Sequence, residues 1–343
     1  MGLILFNNMY KIFLFIIFVF SANIFSQTVP NGFESVAYEG FDYTAGQDLY
    51  YQSGGSGFTS NWGGFYQQRY LEIVSGSYTY SGLTTTGNKA VFDDYNDWSN
   101  CYGTCNQISS SGREFPSVSE GVLYLQFLAN LGSQKGGGTP HIRLALSGST
   151  VLILGKANGS SHNWQLNDNA ASNTTVDTGI SATTTRMVVV RFDYDNGNIK
   201  MYIDPDLSTF DYSAPSGEDA EISGITVPSF DEIGPMFRDG GTPGIDEIHL
   251  FKSYSATFNN NAGDNQWNNS SNWTSGVVPT SSYDVIIPSG STIEISSSFS
   301  AVAKSLNVKS GGTLNILSGT SLTVSGDVDN SGVININGDL VTN

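Results

Sequence analysis

The sequence is poor in charged residues, and most of the charge it carries is negative. Charged residues make up 13% of its 343 residues, and 31 Asp and Glu oppose 14 Lys and Arg, for a formal net charge of −17. Phosphate groups are bound mainly by Lys and Arg, so nucleic acid and anionic membrane surfaces are disfavoured partners. The acidic balance suits a secreted protein and offers oxygen ligands for divalent cations.

Long apolar runs are also lacking, apart from one near the N-terminus. Residues Ile12 to Phe20 form an apolar run of nine, which Lys11 precedes and the more polar SANIFSQ follows. A membrane-spanning helix needs about 20 residues, so this length predicts the apolar part of a signal peptide. We predict a signal peptide over residues 1–26. The alternative is an uncleaved N-terminal membrane anchor.

Cysteine is scarce, and histidine shows no clustering. The two cysteines are Cys101 and Cys105, in CYGTC, and the three histidines are scattered along the chain. A structural zinc site needs about four closely spaced ligands, so zinc is excluded. In an exported protein, the two cysteines predict a disulfide. Its loop is very small, so it would fix local shape and add little global stability.

Helical periodicity is lacking, and short alternating segments take its place. VLYLQFLAN (Val122 to Asn130) and RMVVVRFDY (Arg186 to Tyr194) have the composition and apolar pattern of β-strands. The Asn-Gly step of DNGN, Asp195 to Asn198, predicts a hairpin turn. Many strands without helices predict an all-β sandwich or barrel.

The order of these segments resembles a known family. EGFDYTAGQDL (Glu39 to Leu49) comes first, and GGSGFTSNW (Gly54 to Trp62), STVLILGKANGSSHNWQL (Ser149 to Leu166) and GIDEIHLF (Gly244 to Phe251) follow. This arrangement is similar to the laminin G-like or concanavalin A-like domains of exported bacterial surface proteins. The resemblance implies a jelly-roll β-sandwich over residues 33–258.

The composition and apolar pattern of the chain change after the segments predicted to form the sandwich. Residues 259–266, NNNAGDNQ, are polar and without apolar period, and they predict a linker. The following stretch, from Trp267 to Ile295, contains WNNSSNW and DVIIP. It resembles the opening coil of bacterial and extracellular β-helical domains.

A short repeat follows this opening coil. Leu306, Leu314 and Leu322 are eight residues apart, and Ser-Gly turns separate the units. One unit cannot bury its own apolar face, so the units must stack. We therefore predict the start of a parallel β-helix over residues 267–343, with a flat β-meander as the alternative. The pattern runs on to the last residue without a polar cap, so we expect a truncated product with further sequence beyond it.

The carboxylate spacing of a jelly-roll glycosidase is not present. Such enzymes carry two glutamates on one strand face, as E-x-D-x-E or E-x-D-x-x-E. In GIDEIHLF, Asp246 and Glu247 are adjacent, so strand alternation predicts that they point to opposite faces. HIRLAL offers the His141 and Arg143 of a jelly-roll lyase, but no second matching motif accompanies them. No catalytic residue is predicted.

A polar segment with aromatic residues is the predicted ligand-binding loop. In FDDYNDWSNCYGTC, three aromatic residues, Tyr95, Trp98 and Tyr102, lie beside Asp97. Aromatic faces next to hydrogen-bonding groups are suited to sugar rings, and the two cysteines could hold the loop in shape. The alternative is that these aromatic residues cover an edge of the sandwich.

Calcium is the cofactor that the family resemblance implies. In related jelly rolls, the first and last strands are neighbours and often hold a structural calcium ion. The matching residues are Glu39, Asp42 and Asp246, and their hard oxygen ligands suit Ca²⁺. Alternatively, these acids are solvated or pair with Lys or Arg.

Together these features predict an exported protein that is secreted or held at the cell surface. The predicted function is non-catalytic recognition of an extracellular glycan or of a cell-surface or matrix component. The jelly roll would bind, and the β-helix would act as a stalk in adhesion. One alternative is a polysaccharide-active enzyme, a glycoside hydrolase or lyase on the jelly roll. The other is a purely structural adhesin segment.

Overall fold

Strands form almost all of the regular structure. A computed structural model describes residues 29–67, 71–92, 108–132, 140–156, 162–170, 173–238, 242–296 and 298–342, with residues 64–67, 108–110 and 238 described in backbone alone. In these residues the sole helix is a short 3-10 turn, Ser270–Asn272. This confirms the prediction of an all-β chain.

Two antiparallel sheets form the first part of the molecule. The eight-stranded sheet runs in the order β13 (Ala220–Ser223), β12 (Asn198–Ile203), β11 (Arg186–Asp193), β6 (Val122–Asn130), β15 (Gly244–Ser253), β4 (Lys89–Val91), β3 (Glu72–Val74), with β1 (Phe33–Glu39) also paired to β15. The seven-stranded sheet runs in the order β10 (Thr175–Ser181), β9 (Asn163–Asp168), β8 (Ser149–Gly155), β7 (His141–Leu146), β14 (Phe230–Arg238), β5 (Ile108–Val118), β2 (Gly63–Gln67).

The two sheets enclose one apolar core, which is formed by the alternate side chains of each strand that point inward. In β11, Val188, Val190 and Phe192 point into this core, whereas Met187 and Val189 point to the outer face of the eight-stranded sheet. Successive side chains of a strand alternate between faces, so a strand that is apolar throughout needs cover on both sides. The continuous run RMVVV is explained by this second, outer cluster. The arrangement is a two-sheet β-sandwich.

Three parallel sheets form the second part of the molecule. The first contains β16 (Ser255–Thr257), β17 (Asp284–Ile287), β20 (Ser305–Val308) and β23 (Val328–Asn330). The second contains β18 (Thr292–Ile295), β21 (Thr313–Ile316) and β24 (Val333–Ile336). The third contains β19 (Ser300–Ala303), β22 (Ser321–Val324) and β25 (Asp339–Thr342).

From β17 onward, consecutive strands occupy the three sheets in turn. From β17 to β22, each strand pairs in parallel with the third strand after it, as Ile293 with Leu314 and Ala301 with Leu322, whereas β16 pairs with the next strand, β17. The leucines at eight-residue spacing therefore lie on three different sheets, and they point into one shared core. A flat meander would pair neighbouring strands in antiparallel fashion, and these strands do not.

The two parts of the molecule follow each other more directly than the predicted linker implies. The parallel stack begins at Ser255, inside the predicted range 33–258, because β16 pairs with β17 directly after β15 ends. Residues 259–266 are held by hydrogen bonds, such as Asn259 N–H to Asn272 O at 2.9 Å. Their polar side chains form hydrogen bonds with the backbone. From the sequence pattern alone, a segment bonded in this way cannot be distinguished from a linker.

Leu314 gives a direct test of the shared core. It is fully buried in the middle strand of the second parallel sheet. We expect Leu314→Ala to lower the free energy of unfolding by about 2–5 kcal/mol, because it leaves a cavity in a packed core. Ser310→Ala, in an exposed turn nearby, should change it by less than about 0.5 kcal/mol. Urea unfolding of the full chain measures both, and equal effects would contradict the arrangement.

Candidate functional site

The predicted ligand-binding loop lies outside the described residues. Tyr95, Asp97, Trp98 and Tyr102 all fall there, as do Cys101 and Cys105. Sugar binding by this loop and the disulfide therefore stay predictions. The described residues provide the other candidate groups, which lie at the junction of β1 with β15 and on the outer faces of the two sheets.

Glu39 ends β1 and is bound by an arginine of the opposite sheet. Its carboxylate forms an ion pair with Arg113 of β5 and accepts hydrogen bonds from Trp62 Nε1 at 3.1 Å and Tyr43 Oη at 2.6 Å. Glu39 is fully buried and Arg113 is 4% exposed. The ion pair of Glu39 with Arg113 therefore connects the two sheets. Removing one partner of such a pair costs about 3–5 kcal/mol, because it leaves a buried charge.

Asp246 and Glu247 lie in a β-bulge of β15, on the other side of the strand from Glu39. The pairing register with β6 shifts between Asp246 and His249, and Glu247 has a positive φ of 52°. The extra residue of the bulge interrupts the alternation of side chains along β15, so both carboxylates face the segment 77–87. The prediction that adjacent acids point to opposite faces is therefore wrong here.

Both carboxylates of the bulge hold backbone groups of the segment 77–87. Asp246 Oδ2 accepts the N–H of Tyr78 at 2.8 Å, and Glu247 accepts the N–H of Thr86. Glu247 Oε2 also accepts the hydroxyl of Tyr38 at 2.7 Å. Burial and, after it, the charge of Glu247 raise the pKa of Asp246 to about 9. Asp246 thus keeps its proton at neutral pH.

The third predicted cation ligand, Asp42, lies close to this bulge. Burial raises the pKa of the Tyr38 phenol, and the charges of both Glu247 and Asp42 raise it too. Asp42 itself is solvent-exposed. Within the described part of the chain, however, no three Asp, Glu, His or Cys residues form a group that could hold a metal ion. The three predicted residues therefore do not form a complete calcium site. Glu39 forms an ion pair with Arg113 instead.

An aromatic layer covers the outer face of the eight-stranded sheet. Phe33, Tyr124, Tyr202 and Phe251 are buried there, and side chains of two irregular segments, 77–87 and 204–219, pack on them. A cleft of about 330 Å³ lies between these segments, and we call it the aromatic cleft. Its lining includes Leu83, Phe210, Tyr212, Phe251, Gln126 and His249.

The aromatic cleft combines half-exposed rings with buried polar groups. Phe210 and Tyr212 are partly exposed, whereas Gln126 is 4% and His249 1% exposed. Tyr212 Oη donates a hydrogen bond of 2.8 Å to Gln126 Oε1, and His249 Nε2 lies 3.2 Å from Ser35 Oγ. Burial lowers the pKa of His249 to about 4, so the imidazole is neutral near pH 7. The cleft therefore offers uncharged hydrogen-bonding groups beside aromatic surface.

The outer face of the seven-stranded sheet is polar. Strand alternation places His141 and Arg143 of β7 and Gln165 of β9 on this face, and Gln165 Nε2 donates to Asp177 Oδ2 at 3.0 Å. Arg143 crosses Gly234 of β14, where an added Cβ would lie 3.3 Å from Arg143 Nε. A side chain at this glycine would push the guanidinium away from the sheet.

Two glutamates meet across strands of this polar face. Glu232 of β14 pairs in register with Glu114 of β5, and it forms a buried ion pair with Arg143. Burial raises the pKa of Glu232, Arg143 lowers it, and the Glu114 charge raises it. Opposed residues of an antiparallel pair have Cβ atoms about 4.5–5.5 Å apart, so the two side chains can approach each other. A search for carboxylates along single strands does not find this pair.

The C-terminal part of the chain matches a family model. The model is described as a domain of unknown function, DUF8693, and it matches residues 257–341. This range coincides with the three parallel sheets, and the description states no activity. No curated protein matches the chain in sequence.

Several solved structures are similar to this chain at low identity. Domain 4 of AbnA, an extracellular arabinanase from Geobacillus stearothermophilus in complex with arabinotriose, is 18% identical, with 65% of this chain and 94% of that chain covered and a TM-score of 0.36. A legume lectin-like domain from Entamoeba histolytica is 12% identical, with 50% and 88% covered and a TM-score of 0.31. A sialidase is 11% identical, with 55% of this chain and only 16% of that chain covered and a TM-score of 0.34.

These TM-scores are all below 0.5. The two sheets and their shared core define the sandwich. Among the residues described, no helix has the length and apolar character needed to cross a membrane.

The sequence pattern missed the residues of the aromatic cleft. Gln126 and His249 lie on neighbouring strands of the eight-stranded sheet, whereas Phe210 and Tyr212 come from an irregular segment. The one usable signal was STFDYS, in which two aromatic residues alternate between polar ones. The clustering of Trp98 with two tyrosines in one short segment is the stronger sequence signal, and it predicts a binding loop elsewhere in the chain.

The raised pKa of Asp246 predicts a pH dependence of stability. The folded carboxyl holds its proton up to about pH 9, whereas the unfolded one loses it near pH 4. The folded state therefore binds more protons in this window, and stability falls as pH rises.

In calcium-free buffer with chelator, we expect the melting temperature to fall from pH 7 to pH 9. Asp246→Asn should flatten this decline, because the amide does not titrate. Asp48→Asn, at an exposed position, serves as control and should leave the decline unchanged. A decline that survives in Asp246→Asn would show that another group causes it.

Proposed function

We propose that the protein recognises a glycan, and that the aromatic cleft is its binding site. The observation that carries the proposal is the lining of this cleft, where Phe210 and Tyr212 flank the neutral polar groups of Gln126 and His249. A sugar ring presents apolar C–H faces and hydroxyl groups, and this lining matches both. The volume of about 330 Å³ is at the lower end of the range for small-molecule sites.

Charge and position support the same proposal. Neither Lys nor Arg lines the aromatic cleft within the described residues, so the site has no cation for an anionic headgroup or phosphate. The segments that form its walls are irregular and lie on a rigid sheet, which is where binding residues are commonly found. The resemblance to laminin G-like and concanavalin A-like domains favours a recognition module.

Removing the aromatic wall tests the proposal. We expect the full chain to bind one or more oligosaccharides on a glycan array, and Phe210→Ala to weaken that binding by about tenfold or more. A well-packed aromatic contact of a binding site is commonly worth at least the corresponding 1.4 kcal/mol. Titration calorimetry with the best array ligand measures the loss.

Two controls make this result interpretable. Tyr51→Ala removes an aromatic ring that is 68% exposed and outside the cleft lining, and it should leave affinity unchanged. Circular dichroism checks that both variants are folded. Equal affinity of Phe210→Ala and the parent chain would refute binding at the aromatic cleft.

A polysaccharide-active enzyme is the second candidate, and the opposed Glu232 and Glu114 favour it. A carboxyl with a raised pKa beside an ionised one is the arrangement that retaining glycosidases use. Here Glu232 is tied to Arg143, and such an ion pair opposes its use as a proton donor. Reducing-sugar release that is lost in both Glu232→Gln and Glu114→Gln would establish this candidate and overturn the non-catalytic reading.

We also propose that calcium binds at the β15 bulge, through Asp246 and Glu247 with Asp42 nearby. This revises the ligand set that the resemblance implied, since Glu247 replaces Glu39. The support is that two buried carboxylates lie side by side there, and in the described chain Asp246 has no ion pair with Lys or Arg. A divalent cation would stabilise their ionised forms.

Thermal melts at pH 8 test the calcium proposal. We expect millimolar CaCl₂ to raise the melting temperature of the parent chain by several degrees, because a ligand of the folded state stabilises it. Asp246→Asn should abolish the shift, and Asp48→Asn should retain it. A melting temperature that is indifferent to both calcium and chelator would rule the site out.

The wider architecture suggests how the site is used. We propose that the three parallel sheets form a β-helix that acts as a stalk, and that the sandwich is the recognition domain of an adhesin. The parallel pairing and single core of residues 255–342 support the β-helix. Export through the predicted signal peptide and residence outside the cell or at its surface belong to the same proposal. The predicted disulfide would fit that oxidising location.

A further inference from the structure

The buried polar side chains of the aromatic cleft are confined to one small patch on its floor. Gln126 of β6 and His249 of β15 are direct partners in the pairing register, and both are almost completely buried. Opposed residues of an antiparallel pair have Cβ atoms about 4.5–5.5 Å apart, so the two side chains lie side by side. Phe251, two residues after His249 on the same face of the strand, continues the floor with an aromatic ring.

This polar patch already forms hydrogen bonds within the protein. Gln126 Oε1 accepts the hydroxyl of Tyr212 at 2.8 Å, and His249 Nε2 lies 3.2 Å from Ser35 Oγ. Among the described residues, the buried polar atoms that have no hydrogen-bond partner all lie outside this lining. The patch can therefore bind only a few hydroxyl groups of a ligand.

One end of the aromatic cleft is apolar on both walls. Leu83 of the segment 77–87 and Leu207 of the segment 204–219 line it, and both are half-buried. The walls approach each other here, since a Cβ added to Gly82 would lie 3.3 Å from Leu207 Cβ. We call this the leucine end. A ligand hydroxyl placed in it would lose its bonds to water and gain no partner from the leucines, which is unfavourable, whereas a methyl group would gain apolar contact.

The lining also lacks charged groups of either sign. Within the described residues, it contains no Asp, Glu, Lys or Arg. The ammonium group of an amino sugar and the carboxylate or sulfate group of an acidic sugar would thus have no ion-pair partner there. The ring of Phe210 is held against Tyr202 and Tyr212, with centroids 5.0 and 4.8 Å away. The cleft therefore offers one fixed aromatic wall to a neutral sugar ring.

We propose that the sugar recognised in the aromatic cleft is a neutral 6-deoxyhexose. Its C6 methyl group occupies the leucine end, its ring packs on Phe210, and its hydroxyl groups bond to Gln126 and His249. An ordinary hexose carries a hydroxyl at C6, and an N-acetyl sugar carries an amide whose N–H and C=O both need partners. This inference rests on the proposed glycan recognition, and it names the class of sugar.

Pairs of sugars that differ only at C6 test the inference on the full chain. The pairs are the methyl glycosides of L-fucose and L-galactose, of L-rhamnose and L-mannose, and of 6-deoxy-D-glucose and D-glucose. We expect one pair at least to show about tenfold tighter binding of the 6-deoxy sugar, because its partner buries an unpaired hydroxyl. The methyl glycoside of N-acetylglucosamine should bind no more tightly than that of D-glucose. Titration calorimetry measures all of them.

Variants of the leucine end separate this preference from general apolar attraction. Leu207→Asn places a hydrogen-bonding amide of similar size there, and it should abolish the preference without weakening the hydroxylated sugar. Leu83→Asn makes the same change on the opposite wall, and it replaces Leu207→Asn if circular dichroism shows that variant to be unfolded. Leu146→Asn is the matched control at a position that is 39% exposed and outside the cleft lining, and it should keep the preference.

The outcomes distinguish the two proposals. Equal affinities within every pair overturn the 6-deoxyhexose inference, as do array ligands that contain no 6-deoxyhexose or a preference that survives in the leucine variants. If Phe210→Ala still weakens glycan binding in any of these cases, glycan recognition at the aromatic cleft stands. If the array shows no glycan binding, or binding that Phe210→Ala does not change, both proposals fail.

Discussion

The β-bulge at Glu247 sets the geometry on which the proposed site depends. One extra residue in β15 places Asp246 and Glu247 on the same side of the strand, where they hold the N–H groups of Tyr78 and Thr86. The segment between these two anchors carries Leu83 and Thr84, which line one wall of the aromatic cleft. A regular strand would direct one of the carboxylates into the core, and this wall would lose an anchor.

On the opposite side of the same strand pair, a buried ion pair links the two sheets. Glu39 of β1 lies opposite Ile248, and its bond to Arg113 connects the eight-stranded sheet to the seven-stranded sheet. Six residues contact the pair, including the indole of Trp62 and the ring of Phe58, which lies 4.3 Å from the Arg113 guanidinium carbon. A buried pair with so many partners anchors the end of β1 beside Ile248.

The sequence allowed the fold class to be predicted but not the site. Alternation and turn signals such as Asn-Gly are local, so the strand of RMVVVRFDY and the repeat of Leu306 could be recognised. The bulge at Glu247 depends on pairing with two other strands, and no local pattern encodes it. The aromatic cleft joins Leu83, Gln126, Phe210 and His249, which are distant in sequence and meet only through the sheet order. The residue types identify the candidate acids, but the sequence does not show that Glu39 pairs with Arg113, because the two residues are 74 positions apart.

The central claim is that a glycan binds between the segments 77–87 and 204–219, on the outer face of the eight-stranded sheet. The most direct measurement is a crystal structure of the protein with an oligosaccharide that it binds in solution. We predict a sugar ring packed on Phe210, with its hydroxyl groups within hydrogen-bond distance of Gln126 or His249. A sugar bound instead on the outer face of the seven-stranded sheet, beside Arg143 and Glu232, would contradict the account.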